Sequence, residues 1–147
     1  MRLKSADFEN GDNIPSEFTC DGNDVSPQLS WEGVPKETKS FALRCDDPDG
    51  MSGNFIHWLV YGITKNVRNT NRGSPPEGAR LVENDFGKKE YGGPCPHFGT
   101  HRYVFALFAL NTEHLTGINR SNFADKVAEH TIAKAELMGR YKRKENP

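Results

Sequence analysis

The stretch Tyr91–Leu110, YGGPCPHFGTHRYVFALFAL, changes from a loop into a strand and decides the fold around it. Its first half holds three glycines and two prolines, which exclude a helix and an ordinary interior strand. This half therefore predicts a rigid loop whose backbone N–H groups are free for a ligand. The run Tyr103–Leu110 is apolar at nearly every position, which is typical of a strand buried on both faces. His101 lies where the loop meets the strand, a common place for a functional side chain.

The rest of the chain predicts a mainly-β domain that covers residues 1–147 and has a helical end. Short strand patterns separated by turn residues come first, at Phe18–Cys20, Gln28–Trp31, Ser40–Asp46 and Phe55–Ile63. A helix is then predicted from Asn122 through Leu137, with a break near His130, and Gly139 ends it.

Composition excludes several classes of protein. Nineteen Lys and Arg against twenty Asp and Glu leave a net charge of −1, which gives no electrostatic surface for nucleic acid. No apolar stretch is long enough to span a membrane, and the start MRLKSADFEN lacks the apolar segment of a secretory signal. A cytoplasmic protein is therefore expected. The basic cluster Arg140–Lys144 is interpreted as a solvated tail.

The three cysteines, Cys20, Cys45 and Cys95, are an odd number with no paired spacing. This pattern argues against a disulfide scaffold and fits a reducing compartment. Cys95 lies in the loop beside His97, where a catalytic thiol is conceivable, but a small apolar filler is the favoured interpretation because no base is evident.

Four polar residues, Asp47, Asp49, His57 and His101, lie inside or at the ends of apolar strands. Three interpretations compete. In the first, the aspartates cap a turn and the histidines are core residues with satisfied hydrogen bonds. In the second, two histidines and a carboxylate bind a metal. The spacing of His97 and His101 is that of a zinc-binding pair on a helix, but the prolines and glycines of the loop exclude a helix here. In the third, imidazoles held by carboxylates beside a glycine-rich loop bind a phosphoryl or carboxylate anion. The residues alone leave the first and third about even.

A series of motifs in one order resembles a known family across almost the whole chain. They are Ile14–Pro15 through Thr19–Gly22, Ser26–Pro27, Leu29–Trp31, Asp47–Asp49, His57–Val60, Asn84–Gly87, Tyr91–Pro96, Gly99–Tyr103 and His130 through Ala135–Gly139. The sequence is similar to the phosphatidylethanolamine-binding proteins, which include the Raf kinase inhibitor protein, and most of all to their bacterial and archaeal branch.

The resemblance implies a large central antiparallel or mixed β-sheet, a smaller sheet packed on it, and short C-terminal helices. It also implies a preformed anion pocket for phosphorylethanolamine-like, phosphorylated or simple oxyanion ligands. The residues that match the family's pocket are Asp47, Asp49, His57, Gly93, Pro94, His101 and Tyr103. His97 and Gly50 depart from the family pattern at the mouth of the pocket.

The function expected from these observations is non-enzymatic binding of a phosphoryl or carboxylate group, with a regulatory or inhibitory role toward a kinase or protease. No cofactor and no metal are expected, and the bacterial branch implies a homodimer. One alternative is a small hydrolase that uses the Asp/His pocket with Cys95 as nucleophile. Another is an inhibitor that acts through its surface, for which Lys65–Lys89 is the candidate contact segment.

Overall fold

The apolar run predicted to be a buried strand lies inside the larger of two β-sheets. In the computed structural model, residues 1–144 are described. The elements in chain order are β1 (Arg2–Lys4), a 3-10 turn (Ser16–Phe18), β2 (Leu29–Glu32), β3 (Ser40–Asp47), β4 (Phe55–Thr64), β5 (Asn69–Thr70), β6 (Arg80–Val82), β7 (His101–Leu110), α1 (Phe123–His130) and β8 (Thr131–Tyr141).

The larger sheet has the strand order β6-β4-β3-β7-β8, and the smaller one has the order β1-β2-β5. Each of these neighbouring pairs is antiparallel. The expected fold, a large sheet with a smaller sheet and a short helix near the C-terminus, is therefore confirmed.

The central strands are apolar throughout because both faces of the large sheet are covered. Along β7, the side chains of Tyr103, Phe105 and Leu107 enter the core that includes the small sheet. The alternate side chains, among them Ala106 and Phe108, enter a second core that contains α1. Successive strand residues point to opposite faces, so a doubly covered strand needs apolar residues at every position.

The predicted helix Asn122–Leu137 is wrong beyond His130. Helix α1 ends there, and Thr131–Tyr141 forms a strand that pairs with β7 along its whole length. Buried positions such as Ala135, Leu137 and Tyr141 recur at every second residue, which is the period of a strand. Ile132, which supported the helical pattern, is one of the exposed large apolar side chains.

The predicted strand at Phe18–Cys20 is also wrong. The chain forms the 3-10 turn Ser16–Phe18 at this point, with Phe18 fully buried and the backbone N–H of Thr19 bonded to the carbonyl of Ser16. Among residues 1–144, no helix has the length and apolar character needed to cross a bilayer.

The close packing at Gly139 gives a test of the fold. An added Cβ there would lie 2.8 Å from Ile14 Cδ1 and 2.9 Å from Phe8 Cε2. We expect Gly139→Ala to lower the free energy of unfolding by about 1–3 kcal/mol because the core is overpacked. Urea denaturation measures this change. Arg140→Ala, at the exposed neighbouring position, is the control and should stay within about 0.5 kcal/mol of wild type; equal effects of the two substitutions would contradict the packing.

Candidate functional site

Three strand ends meet at one edge of the large sheet. β3 ends at Asp47, opposite Phe55 at the start of β4, and β7 begins at His101 on the other side of β3. Antiparallel pairing therefore brings together residues that are far apart in sequence. A cavity of about 700 Å³ opens at this edge, and four of the predicted site residues line it: Asp47, His57, His101 and Tyr103.

Asp47 and His101 form a direct pair across the strand ends. His101 Nδ1 lies 2.6 Å from Asp47 Oδ2, and both side chains are largely buried. Because an ionised carboxylate only accepts hydrogen bonds, the hydrogen of this bond belongs to Nδ1. The other ring nitrogen, Nε2, is then available to a ligand. Asp47 Oδ1 is also satisfied, since it accepts the backbone N–H of Asp49 at 2.7 Å.

Asp49 does not line the cavity but fixes the start of β7 from outside. Its two oxygens bind the guanidinium of Arg102 at 2.9 and 2.7 Å, and one also accepts the Arg102 backbone N–H at 2.9 Å. These hydrogen bonds from Arg102 lower the pKa of Asp49 to about 2. The arrangement holds His101 beside Asp47, so Asp49 acts on the site as a positioning residue.

His57 is buried and binds a backbone carbonyl, where a carboxylate partner was expected. Its Nδ1 lies 2.6 Å from the carbonyl oxygen of Gly92, which can only accept, so Nδ1 carries the hydrogen. Burial lowers the pKa of His57, an effect that the Gly92 hydrogen bond and Asp47 partly oppose. The ring is therefore neutral at pH 7, and its Nε2 is a hydrogen-bond acceptor.

Tyr103 is one of the residues that line the cavity, and its hydroxyl group has no protein partner in the described chain. The residue is fully buried, and within residues 1–144 its oxygen has no hydrogen bond. The backbone of Cys95 comes near this oxygen but lacks the geometry of a hydrogen bond. Burial, and next the charge of Asp47, raise the pKa of Tyr103, so the group stays a neutral O–H donor.

In the loop that precedes β7, the N–H groups of Gly92 and Gly93 are not free for a ligand, contrary to the prediction. The Gly92 N–H donates to the carbonyl of His57 at 3.0 Å, and the Gly93 N–H donates to Asp24 at 2.7 Å. A Cβ at Gly93 would meet the backbone of Phe18 and Thr19, so this close approach requires glycine. Gly93 and the adjacent Pro94 are buried behind the cavity lining.

The cysteine prediction is wrong. Cys20 and Cys95 form a disulfide across 75 residues of sequence, with a Cα–Cα distance of 5.5 Å, and Cys45 is buried as a free thiol. So large a separation leaves no local spacing pattern to detect. The bond removes the cysteine argument for a reducing compartment. It also removes the nucleophile of the hydrolase alternative, because the sulfur of Cys95 is already bonded.

An aromatic wall of the cavity was missed by the sequence reasoning. The rings of Phe55 and Phe86 lie 4.8 Å apart, at 5.0 and 5.3 Å from the ring of His57. Phe86 is held there by the buried side chain of Asn84, which accepts the Phe86 N–H and donates to the His57 carbonyl. The motif Asn84–Gly87 was noticed in the sequence, but nothing in it indicated that it forms a wall of the site.

His97 joins the cavity lining through its exposed side chain. Within the described part of the chain, no three His, Cys, Asp or Glu side chains are grouped so as to hold a metal ion.

Comparisons with known proteins agree with one another. The sequence profile described as "Phosphatidylethanolamine-binding protein" matches residues 4–142. A UPF0098 protein of Aquifex aeolicus is 45% identical, with 97% of this chain and 89% of the relative covered, and one of Methanothermobacter thermautotrophicus is 41% identical, with 97% and 99% covered.

Two solved structures share the fold. CT736 of Chlamydia trachomatis, described as a candidate phosphatidylethanolamine-binding protein homologue, is 36% identical with a TM-score of 0.89, and the match covers 97% of each chain. YbcL of E. coli, described as a new member of the mammalian family of these proteins, is 30% identical with a TM-score of 0.91, and 97% of this chain and 98% of YbcL are covered.

The disulfide gives the first test of the site. We expect Cys20→Ser/Cys95→Ser to lower the free energy of unfolding by roughly 2–4 kcal/mol, because the crosslink closes a long loop in the unfolded chain. Urea denaturation with and without a reductant measures this loss. Cys45→Ala is the control, since it keeps the disulfide and should keep the response to reductant. Thiol titration of the denatured wild type should find only the Cys45 thiol; three reactive thiols would contradict the pairing.

The lowered pKa of His57 gives a second test. Below pH about 6.5, His57 takes up a proton in the unfolded chain, whereas in the folded protein burial keeps it neutral to a lower pH. The free energy of unfolding should therefore decrease as the pH is lowered, until the pH lies below the pKa of folded His57. His57→Asn, which retains an N–H donor for Gly92, should remove this part of the fall. The exposed His97→Asn should retain it. Urea denaturation across a pH series measures the effect, and identical profiles for His57→Asn and wild type would exclude it.

Proposed function

The chain belongs to the phosphatidylethanolamine-binding protein family, and on this premise we propose that it is a non-enzymatic protein that binds phosphoryl or carboxylate groups in the cavity at the sheet edge. The profile match over residues 4–142 supports the premise. The binding function goes beyond the comparisons and is argued from the side chains of the cavity.

The observation that carries the proposal is the hydroxyl of Tyr103. Tyr103 is a lining residue of the cavity, and its hydroxyl is buried without an acceptor in the described chain. A buried polar group without a partner costs about 1–3 kcal/mol, so such groups call for an explanation. An oxygen of a ligand anion in the cavity would accept this hydrogen bond after a small shift of the lining side chains, which is common on binding.

The other polar side chains favour a phosphoryl group that carries one hydrogen. Neutral His57 would accept the hydrogen of the ligand at Nε2, and His101, whose Nδ1 is bonded to Asp47, leaves its Nε2 for a second contact. The carboxylate of Asp47 on the same wall disfavours a second negative charge in the cavity. A phosphate monoester in its monoanionic form, whose second pKa is about 6, supplies both the acceptor oxygens and one O–H.

The aromatic wall suits the organic part of such a ligand. Phe55 and Phe86 face the cavity beside His57, and Met51 at the same mouth is 71% exposed. Ligand pockets commonly combine an apolar lining with a few fixed polar groups. The proposed ligand is therefore a phosphoryl or carboxylate group joined to an organic stem that packs against these side chains.

The proposal extends to regulation of a kinase or protease. A phosphorylated side chain of such an enzyme presents the same phosphoryl group as a small molecule, and the open cavity would accept it from outside. Occupying that segment would inhibit the partner. The family resemblance supports this extension, and the disulfide at Cys95 weighs against a hydrolase.

The proposed function is tested by removing the hydroxyl oxygen of Tyr103. Tyr103→Phe should weaken binding of phosphorylethanolamine by roughly 10- to 150-fold, because a hydrogen bond to a charged group contributes roughly 1.5–3 kcal/mol. The same substitution should leave the free energy of unfolding unchanged or raise it, since the hydroxyl has no partner in the free protein. NMR titration of the histidine ring signals measures the affinity.

Tyr91→Phe is the matched control. The Tyr91 hydroxyl donates to the carbonyl of Phe18 at 2.7 Å, behind the loop. Its removal should lower the free energy of unfolding by about 1 kcal/mol and leave affinity unchanged. Unaltered affinity in Tyr103→Phe, or no ligand-induced shift at His57 and His101 in wild type, would refute the proposed function.

A further inference from the structure

The disulfide ends on the lining of the cavity. Cys95 is a lining residue, as are the next two residues, Pro96 and His97, whereas Cys20 follows the 3-10 turn and does not line the cavity. Both cysteines are partly exposed to solvent, unlike the buried thiol of Cys45. The bond therefore joins one wall of the cavity to a neighbouring turn, at a place that a reductant in solution can reach.

The loop before Cys95 is held by hydrogen bonds that do not need the disulfide. Each of residues 91–94 bonds to another segment, through the Tyr91 hydroxyl, the N–H groups of Gly92 and Gly93, and the carbonyl of Pro94. Their partners, in the same order, are the carbonyls of Phe18 and His57, the Asp24 carboxylate and the N–H of Cys20. These contacts measure 2.7–3.1 Å, so this part of the loop should stay in place when the disulfide is reduced.

The segment after Cys95 is held differently. Within residues 1–144, residues 96–99 make no hydrogen bond and no ion pair with the rest of the chain. Pro96 has no N–H to donate. The chain is fixed again at His101, whose ring binds Asp47. The disulfide is therefore the last crosslink before His101, and the wall formed by Pro96 and His97 depends on it.

We propose that the disulfide between Cys20 and Cys95 is a redox switch of the cavity, which holds the wall at Pro96 and His97 when oxidised and releases it when reduced. This inference rests on the proposed function, because it concerns ligand binding in the same cavity. In the oxidised protein the wall is formed before the ligand arrives. In the reduced protein the ligand must order residues 96–99 as it binds, and this cost lowers the affinity.

The reductant of this switch is a dithiol. One of its thiolates attacks a sulfur of the disulfide, the S–S bond breaks, and a mixed disulfide forms. The second thiol of the reductant then displaces the protein sulfur and closes its own disulfide. The dithiol thereby loses two electrons and two protons, and Cys20 and Cys95 gain them as two thiols. Oxidised dithiol returns the protein to its starting state by the reverse exchange.

A crosslink that served only the stability of the fold would act mainly on the unfolded chain. Its reduction would change the free energy of unfolding and leave the affinity of the folded protein as it was. The hydrogen bonds of residues 91–94 favour a local effect instead, because they keep the rest of the loop folded around the cavity. The reduced protein should therefore remain folded and differ mainly in residues 95–100.

The experiment compares the affinity for phosphorylethanolamine of oxidised wild type and of wild type reduced by dithiothreitol, a dithiol without a charge that would compete for the cavity. NMR titration of the histidine ring signals measures both affinities, and thiol titration measures the redox state. We expect reduction to weaken binding roughly 5- to 30-fold, the cost of ordering about one further residue.

The coupling must also appear in the opposite direction. Because linkage is reciprocal, ligand that saturates both forms should lower the equilibrium constant for reduction by dithiothreitol by the same factor. A tenfold change in this constant is about 30 mV for a two-electron couple. Redox titration with and without phosphorylethanolamine measures it, and a reduction constant that does not respond to the ligand would contradict the switch.

Two variants separate the wall from the stability of the fold. Cys20→Ser/Cys95→Ser should bind as reduced wild type does and should not respond to dithiothreitol; reduced wild type gives the same comparison where this variant does not fold. Val127→Ala is the matched control, because it removes buried methyl groups from the core on the other face of the large sheet and keeps the disulfide. It should be less stable and bind as oxidised wild type does.

Other results separate this inference from the proposed function. Equal affinity of the oxidised and reduced proteins would overturn the switch and leave the cavity function standing. A disulfide that dithiothreitol reduces only together with global unfolding, measured by circular dichroism, would overturn the switch as well, and so would an equal loss of affinity in Val127→Ala. Absence of binding in both redox states would refute the cavity function, and the switch with it.

Discussion

The hydrogen bond between His101 Nδ1 and Asp47 Oδ2 joins the ends of two neighbouring strands, and the site depends on it. A buried carboxylate without such a partner would be strongly destabilising. The pair is satisfied because the Asp49 N–H occupies the second oxygen of Asp47, while Arg102 holds Asp49. The strand ends are thereby fixed with one imidazole nitrogen left for a ligand. The chemistry of the cavity thus follows from the way the sheet edge satisfies its own polar groups.

The two histidines have different partners. His101 donates from Nδ1 to the carboxylate of Asp47, whereas His57 donates to the carbonyl of Gly92 and is buried, and this burial lowers its pKa. Each ring therefore keeps Nε2 for a ligand, and neutral His57 supplies a hydrogen-bond acceptor there. An acceptor in the cavity favours a ligand that carries a hydrogen. A simple cluster of positive charges would not make that distinction.

The sequence predicted the parts of the fold that depend on local pattern. The run Tyr103–Leu110 identified a doubly buried strand, and the resemblance pointed to the Asp/His pair. Strand β8 was not predicted from the sequence, because the spacing of its apolar residues fits both a helix and a strand. The pairing with β7 selects the strand. The disulfide between Cys20 and Cys95 and the carbonyl partner of His57 were not predicted either, since no pattern in the neighbouring residues indicates them. Both contacts join segments that are distant in the sequence.

The crosslink between Cys20 and Cys95 makes a covalent ring from half of the chain. The ring contains β2 through β6, including the exposed connection around Arg72 and Gly73. A protease that cut this connection would leave one molecule, because both products would remain joined through sulfur. The wall of the cavity would stay attached to the turn at Phe18 that supports it. The two parts of the site would therefore stay in one molecule even if the backbone were cut in this exposed connection.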